Sequence, residues 1–189
     1  MTNRPRVSVG AVPALLLAAL YFFDSSGVFS AMLPAVLVHE AGHALALRLC
    51  GARFRQLRLE IGGFSLNYSG VLGRGAECLC ALMGPAFGAV FALTASVLGR
   101  RLQSEFLLCA AGVSAALTAF NLLPAPMLDG GRVLGIFLPE KVMVVLGMAT
   151  GCALLIAGLY CAVRGYGLAL LPAGVWVTVC TCQWKSNGV

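Results

Sequence analysis

From Val142 to Val163 the sequence runs VMVVLGMATGCALLIAGLYCAV without one Asp, Glu, Lys or Arg. At 1.5 Å of rise per residue, a helix of that length reaches across a hydrocarbon layer about 30 Å thick. Similar apolar stretches cover residues 10–30, 32–50, 77–98, 103–123 and 166–182, with short polar breaks between them. Composition agrees: 60 % of the side chains are hydrophobic, 11 % are charged, and the mean hydropathy is +0.92. These values lie outside the range of soluble domains. The expectation is an all-α integral membrane protein of six transmembrane helices, with residues 1–189 forming one transmembrane domain. The last two spans are separated only by Arg164, Gly165, Tyr166 and Gly167.

Residues 1–23, MTNRPRVSVGAVPALLLAALYFF, have a basic head and an apolar body, so a cleaved secretory signal has to be weighed. No small-residue cleavage site follows cleanly, and the apolar stretch is long enough to be kept as an anchor. Counting cations over six spans puts Arg4, Arg6, Arg48, Arg53, Arg55, Arg58, Arg74, Arg132, Lys141 and Lys185 on one side, against Arg100, Arg101 and Arg164 on the other. By the positive-inside rule both termini face the cytoplasm, and a bacterial cell membrane is the expected location. The net charge of +6 is spread over loops that can face anionic headgroups of the lipid bilayer, so no nucleic-acid partner is called for. The eight cysteines lie mostly in apolar spans and contain no C-x-x-C, which fits packing residues rather than a thiolate metal site.

The second span carries ionisable groups through its middle, in LPAVLVHEAGHALALRLCG, residues 33–51. His39 and His43 are four residues apart, hence about 40° apart around a helix and one turn along it, so both imidazoles can reach one cation. In metallohydrolases of this pattern the histidines bind Zn²⁺, one ion per chain, and the intervening glutamate, here Glu40, takes a proton from the attacking water. Left uncompensated, each ionisable group at that depth would cost roughly 3 kcal/mol, which argues against an idle trio. The plainer reading has the two histidines hydrogen-bonded inside a bundle with Glu40 paired to a distant arginine. Scarcity weighs against it, because these are the chain's only two histidines.

A catalytic zinc wants a third protein ligand. The carboxylates that remain are Asp24, Asp129, Glu60, Glu77, Glu105 and Glu140. Asp129 stands out in NLLPAPMLDGGRV, residues 121–133, where two prolines break a span and a glycine pair lets the backbone turn sharply. Broken backbone at membrane depth is tolerated where it is buried or lines a wet cavity. Taken alone, Asp129 reads better as a plain turn residue in D-G-G. Asn121, at the end of the span, is placed to donate an amide hydrogen to a substrate carbonyl as it becomes an oxyanion.

HEAGH followed two spans later by NLLPAPMLDGG resembles the site-2 proteases, intramembrane zinc metalloproteases that cut membrane-embedded substrates. The resemblance implies that His39, His43 and Asp129 hold zinc and that Glu40 activates water. MGPAFG, residues 83–88, is similar to the Gly-Pro segment of the intervening family helix. It covers residues 30–135 and looks most like the compact branch that contains the stage IV sporulation protease FB. No segment resembles the PDZ or CBS domains found in other members. The implied partners are a membrane-embedded protein substrate and the lipid bilayer, with room for a regulatory membrane protein.

Between the second and third spans, Leu57, Leu59 and Ile61 alternate with Arg58 and Glu60, and Phe64, Leu66 and Tyr68 alternate with Ser65, Asn67 and Ser69. Period two on both sides of Gly62-Gly63 predicts a short β-hairpin over 56–69 with its turn on the glycines. Its open edge can pair with an extended substrate, although a connector would look the same. The competing function is a non-hydrolytic metal-binding membrane protein, a transporter or a pseudo-protease. Glu40 separates the two, since a carrier needs ligands but no general base. A soluble HExxH peptidase on an anchor is excluded because the longest polar break, about 25 residues, is well short of a stable domain.

Overall fold

The computed structural model describes residues 6–9, 27–51, 53–60, 63–69 and 72–187. Among them are six helices: α1 (Val28–Leu49), α2 (Arg74–Leu102), α3 (Glu105–Asn121), α4 (Asp129–Gly135), α5 (Glu140–Val163) and α6 (Leu170–Asn187). Three strands accompany them, β1 (Arg6–Val9), β2 (Arg53–Glu60) and β3 (Gly63–Ser69). The chain divides into two compact units, Met1–Ala119 and Phe120–Val189.

In the first unit α1 packs against α2 through small side chains. Ala31, Ala35, His39, Gly42, His43 and Ala46 are buried on α1 at one-turn spacing, and Cys80, Ala81, Gly84, Gly88, Ala95 and Gly99 are buried on α2. Lipid tails are as apolar as leucine, so helices in a bilayer gain by close van der Waals contact rather than by hiding bulk. Gly42 illustrates the need for small residues, because a Cβ there would overlap the main-chain carbonyl of Met83. Large apolar side chains point the other way: Leu37 is 62 % exposed and Leu93 69 %. That reverses the arrangement of a soluble protein and suits a lipid-facing exterior.

The strands form one sheet in the order β1-β2-β3. β2 and β3 are antiparallel, with Leu59 opposite Phe64 and Glu60 opposite Gly63, and the register shifts between Phe54 and Gln56. Of the two residues expected to form the turn, Gly63 is instead the first residue of β3, and Gly62 lies outside the described residues. β1 adds a parallel strand, Arg6 opposite Gln56 and Val9 opposite Leu59, which the sequence did not announce.

Among the described residues three helices, α1, α2 and α5, are long and apolar enough to cross a membrane, against the six spans expected over the whole chain. α3 has 17 residues, about 25 Å of helix, and the apolar part of α6, Leu170–Trp184, is shorter still. The expected first span, 10–30, lies outside the described residues except at its end. There the break expected at residue 31 is absent: Gly27, left-handed at φ 69°, caps α1, and Val28 already belongs to the helix. The polar run Asp24-Ser25-Ser26-Gly27 was the stronger stop signal.

In the second unit α5 and α6 run side by side in opposite directions along a line of glycines. A Cβ on Gly147 would stand 2.7 Å from Thr181 Oγ1, one on Gly151 would overlap Thr178 Oγ1, and one on Gly158 would stand 2.9 Å from Leu171. Gly165 and Gly167 take φ of 74° and 120° in the connection, so α6 starts at Leu170 rather than at the expected 166. Ala125, Leu128 and Val177 make the buried cluster of this unit, with Phe120 and Trp176 against it.

Candidate metal centre

His39 and His43 are both buried on the α2-facing side of α1, with relative exposures of 4 % and 7 %. Their rings meet edge to face, centroids 4.9 Å apart, and their Nε2 atoms lie 3.2 Å from one another. His43 Nδ1–H donates to the carbonyl oxygen of Cys80 at 2.7 Å, which leaves the Nε2 lone pair of His43 facing His39. Two ligand nitrogens on a tetrahedral zinc, each about 2.0–2.1 Å from the ion, stand about 3.3 Å apart. The spacing of the pair therefore fits a zinc ion, and the bond to Cys80 fixes the tautomer and orientation of the His43 ring.

Two glycines of α2 make room for the rings. A Cβ on Gly84 would overlap the imidazole of His43. A Cβ on Gly88 would stand 3.6 Å from His39 Nδ1 and 2.5 Å from Thr118 Oγ1. The glycines are four residues apart, as the histidines are, so one turn of α2 matches one turn of α1 in the opposite direction. Pro85 follows the first of them and lacks an N–H, so the Ala81 carbonyl has no donor four residues on and the helix ladder is loosened beside Cys80. MGPAFG, singled out from the sequence as a similarity only, thus has a physical use. Its signal was the match between the two four-residue spacings.

In the second unit Asp129 is the first residue of α4 and is buried at 6 % exposure. Arg132 Nη1 is 3.6 Å from its Oδ1. The sharp turn expected at Gly130-Gly131 is not there, because both glycines are helical members of α4 and neither has a positive φ. They are needed for closeness instead. A Cβ on Gly130 would overlap the carbonyl of Leu122, and one on Gly131 that of Ala125, so LDGG packs directly on the NLLPAP backbone.

Glu40 is half-buried on α1, and Asn121 is half-buried as the last residue of α3. The rival carboxylates fall elsewhere: Glu77, Glu105 and Glu140 are exposed in the first turns of α2, α3 and α5, where negative charge offsets the helix dipole. Asp24 lies outside the described residues, and Glu60 belongs to β2. His39 and His43 belong to the first unit and Asp129 to the second, and each is a buried side chain of a type that can offer a donor atom to a metal ion.

Comparison with known proteins adds to this. The sequence profile of peptidase family M50 matches residues 100–158, the stretch that holds Asn121 and Asp129. The fold is similar to that of the Site-2 Protease from Methanocaldococcus jannaschii, with a TM-score of 0.69 over 97 % of this chain and 91 % of that one at 17 % sequence identity. No curated protein matches the sequence. The M50 match takes in NLLPAPMLDGG but not HEAGH, and together with the fold likeness it supports the resemblance to site-2 proteases.

Proposed function

We propose that this chain is an intramembrane zinc metalloendopeptidase that hydrolyses peptide bonds of membrane-embedded or membrane-associated proteins. His39, His43 and Asp129 are its zinc ligands, one ion per chain. The observation that carries the reading is the convergence of two buried Nε2 atoms to 3.2 Å beside a glutamate, in a chain whose large apolar side chains face outward. The M50 match and the fold likeness support it.

A bound Zn²⁺ supplies Lewis acidity toward the scissile carbonyl and the attacking water. The protein's part is to hold and to move protons. Glu40 takes the proton of the attacking water and returns it to the leaving amine. The Asn121 amide N–H donates to the carbonyl oxygen as negative charge grows on it. The Cys80 carbonyl keeps the His43 ring in the Nδ1–H form, so that Nε2 stays a donor to the metal.

Glu40→Gln tests the role of the base, because the amide keeps the shape and cannot take a proton. Membranes carrying this variant should accumulate uncut substrates that are cleaved when the parent protein is restored, while purified variant retains one zinc per chain. A general base contributes about 10²–10⁴-fold in rate, so the loss should be complete in practice. Cleavage at the parent rate with zinc bound would remove Glu40 from the mechanism.

A further inference from the structure

We propose that Thr118 is a positioning residue for the metal centre: its hydroxyl oxygen accepts the Nδ1–H of His39 when Nε2 of that ring is committed to the ion. The proposal rests on the zinc reading of His39 and His43 given above.

The hydroxyl of Thr118 stands apart from the other threonines described. In apolar helices a threonine ordinarily turns its hydroxyl back onto the carbonyl four residues earlier. Thr94 does so to Val90 at 3.0 Å, Thr150 to Leu146 at 2.8 Å, Thr178 to Gly174 at 2.8 Å and Thr181 to Val177 at 2.7 Å. Thr118, on α3 and 9 % exposed, does not, and its Oγ1 is buried without a hydrogen-bond partner. A buried polar atom left in that state needs a reason.

Gly88 supplies the direction. It is the glycine on α2 that a Cβ would bring to 2.5 Å from Thr118 Oγ1, 3.6 Å from His39 Nδ1 and 3.7 Å from Ser114 Oγ. The absent side chain leaves a small polar space that these three groups share. Ser114, one turn before Thr118, already donates to the Gly88 carbonyl at 2.9 Å, which ties α3 to α2 at this level. With both Nε2 atoms turned toward each other, Nδ1 is the outer nitrogen of each ring. His43 gives its Nδ1–H to Cys80, and the same service for His39 falls to an acceptor on α3, which the Thr118 oxygen provides.

The test is zinc affinity of the purified full chain in detergent, read by competition with a chromophoric chelator, together with melting of the metal-free protein. Thr118→Val keeps the shape and removes only the hydroxyl. It should weaken zinc about 10–100-fold, as loss of an outer partner of a ligating histidine does, while the metal-free protein melts no lower than the parent. Thr118→Ser restores the oxygen and should return affinity to within a few-fold of the parent. Unchanged affinity in Thr118→Val, or an equal loss in Thr118→Ser, overturns the proposal, the latter by showing that the methyl group matters instead. His39→Ala is run alongside. If it abolishes zinc binding while Thr118→Val does not alter it, only the threonine's role is lost, whereas zinc binding that survives His39→Ala overturns the zinc reading as well.

Discussion

At Gly84 a single methyl group is enough to disturb the centre, because its carbon would overlap the imidazole of His43. Overpacking of this kind costs typically about 1–3 kcal/mol, and here the simplest relief is to push the ring off its bond to Cys80. Gly84→Ala should therefore lower zinc affinity at least tenfold. Gly112→Ala on α3, where a Cβ meets nothing within 4 Å, should leave affinity alone and gain up to about 1 kcal/mol of helix propensity. Equal zinc affinity in the two alanine variants would show that the His43 ring has room to spare. His39→Ala, His43→Ala and Asp129→Ala should each empty or badly weaken the site, measured as zinc per chain after dialysis. Full occupancy in Asp129→Ala would mean that another carboxylate is the third ligand. The histidine pair and Glu40 were legible in the sequence because their spacing is set by one helix. Gly84, Gly88 and the Cys80 carbonyl were not, since each acts on a residue about 40 positions away, and only the packing of α1 on α2 brings them to it.

Elements differ in how far their own residues announce them. The alternation in 56–69 is local and reads as extended chain, whereas β1 gains its hydrogen bonds from residues 56–59, so nothing in Arg6–Val9 itself foretells the pairing. The same logic explains the glycines of NLLPAPMLDGG: DGG looks like a turn, and what makes α4 of it is contact with the backbone of Leu122 and Ala125. With β1 on one side of β2 over Gln56–Leu59 and β3 on the other, β2 is the inner strand. β3, seven residues long, is the longer of the two outer strands. A peptide bond inside a regular transmembrane helix has its carbonyl tied up, and unwinding it in hydrocarbon exposes groups that cost several kcal/mol each. We expect substrates to pair in extended form with β3. Proline at alternate positions of β3 should then slow cleavage without displacing zinc, and Gly or Pro near the cut site should speed it. Unchanged turnover in folded, zinc-loaded proline variants at both sets of alternate positions would make the sheet a connector.

Over the whole molecule, the arrangement in the membrane is decided by where cations sit relative to the apolar helices. The connection from α1 to α2 carries Arg53, Arg55 and Arg58, with Arg74 opening α2, and the stretch from α3 to α5 carries Arg132 and Lys141. Arg100 and Arg101 close α2, and Arg164, lying over the Tyr160 ring at 5.5 Å, follows α5. Lys and Arg near helix ends are retained on the cytoplasmic side, where anionic lipid attracts each by about 1 kcal/mol. The excess at the start of α2 and before α5 predicts that both helix starts face the cytoplasm. Single cysteines at Gly75 and Glu140 should then resist an impermeant thiol reagent until cells are permeabilised, while cysteines at Ser104 and Tyr166 should react in intact cells. Gly75, Glu140 and Tyr166 are exposed, and the parent chain with its eight native cysteines gives the background. His43 is five residues before Arg48 and Asp129 three before Arg132, about 7.5 and 4.5 Å of helix rise, so this topology would also set the proposed ligands toward the cytoplasmic face. Labelling of the Gly75 and Glu140 positions from outside, with protection of Ser104 and Tyr166, would invert the chain in the membrane and carry the ligands to the opposite side.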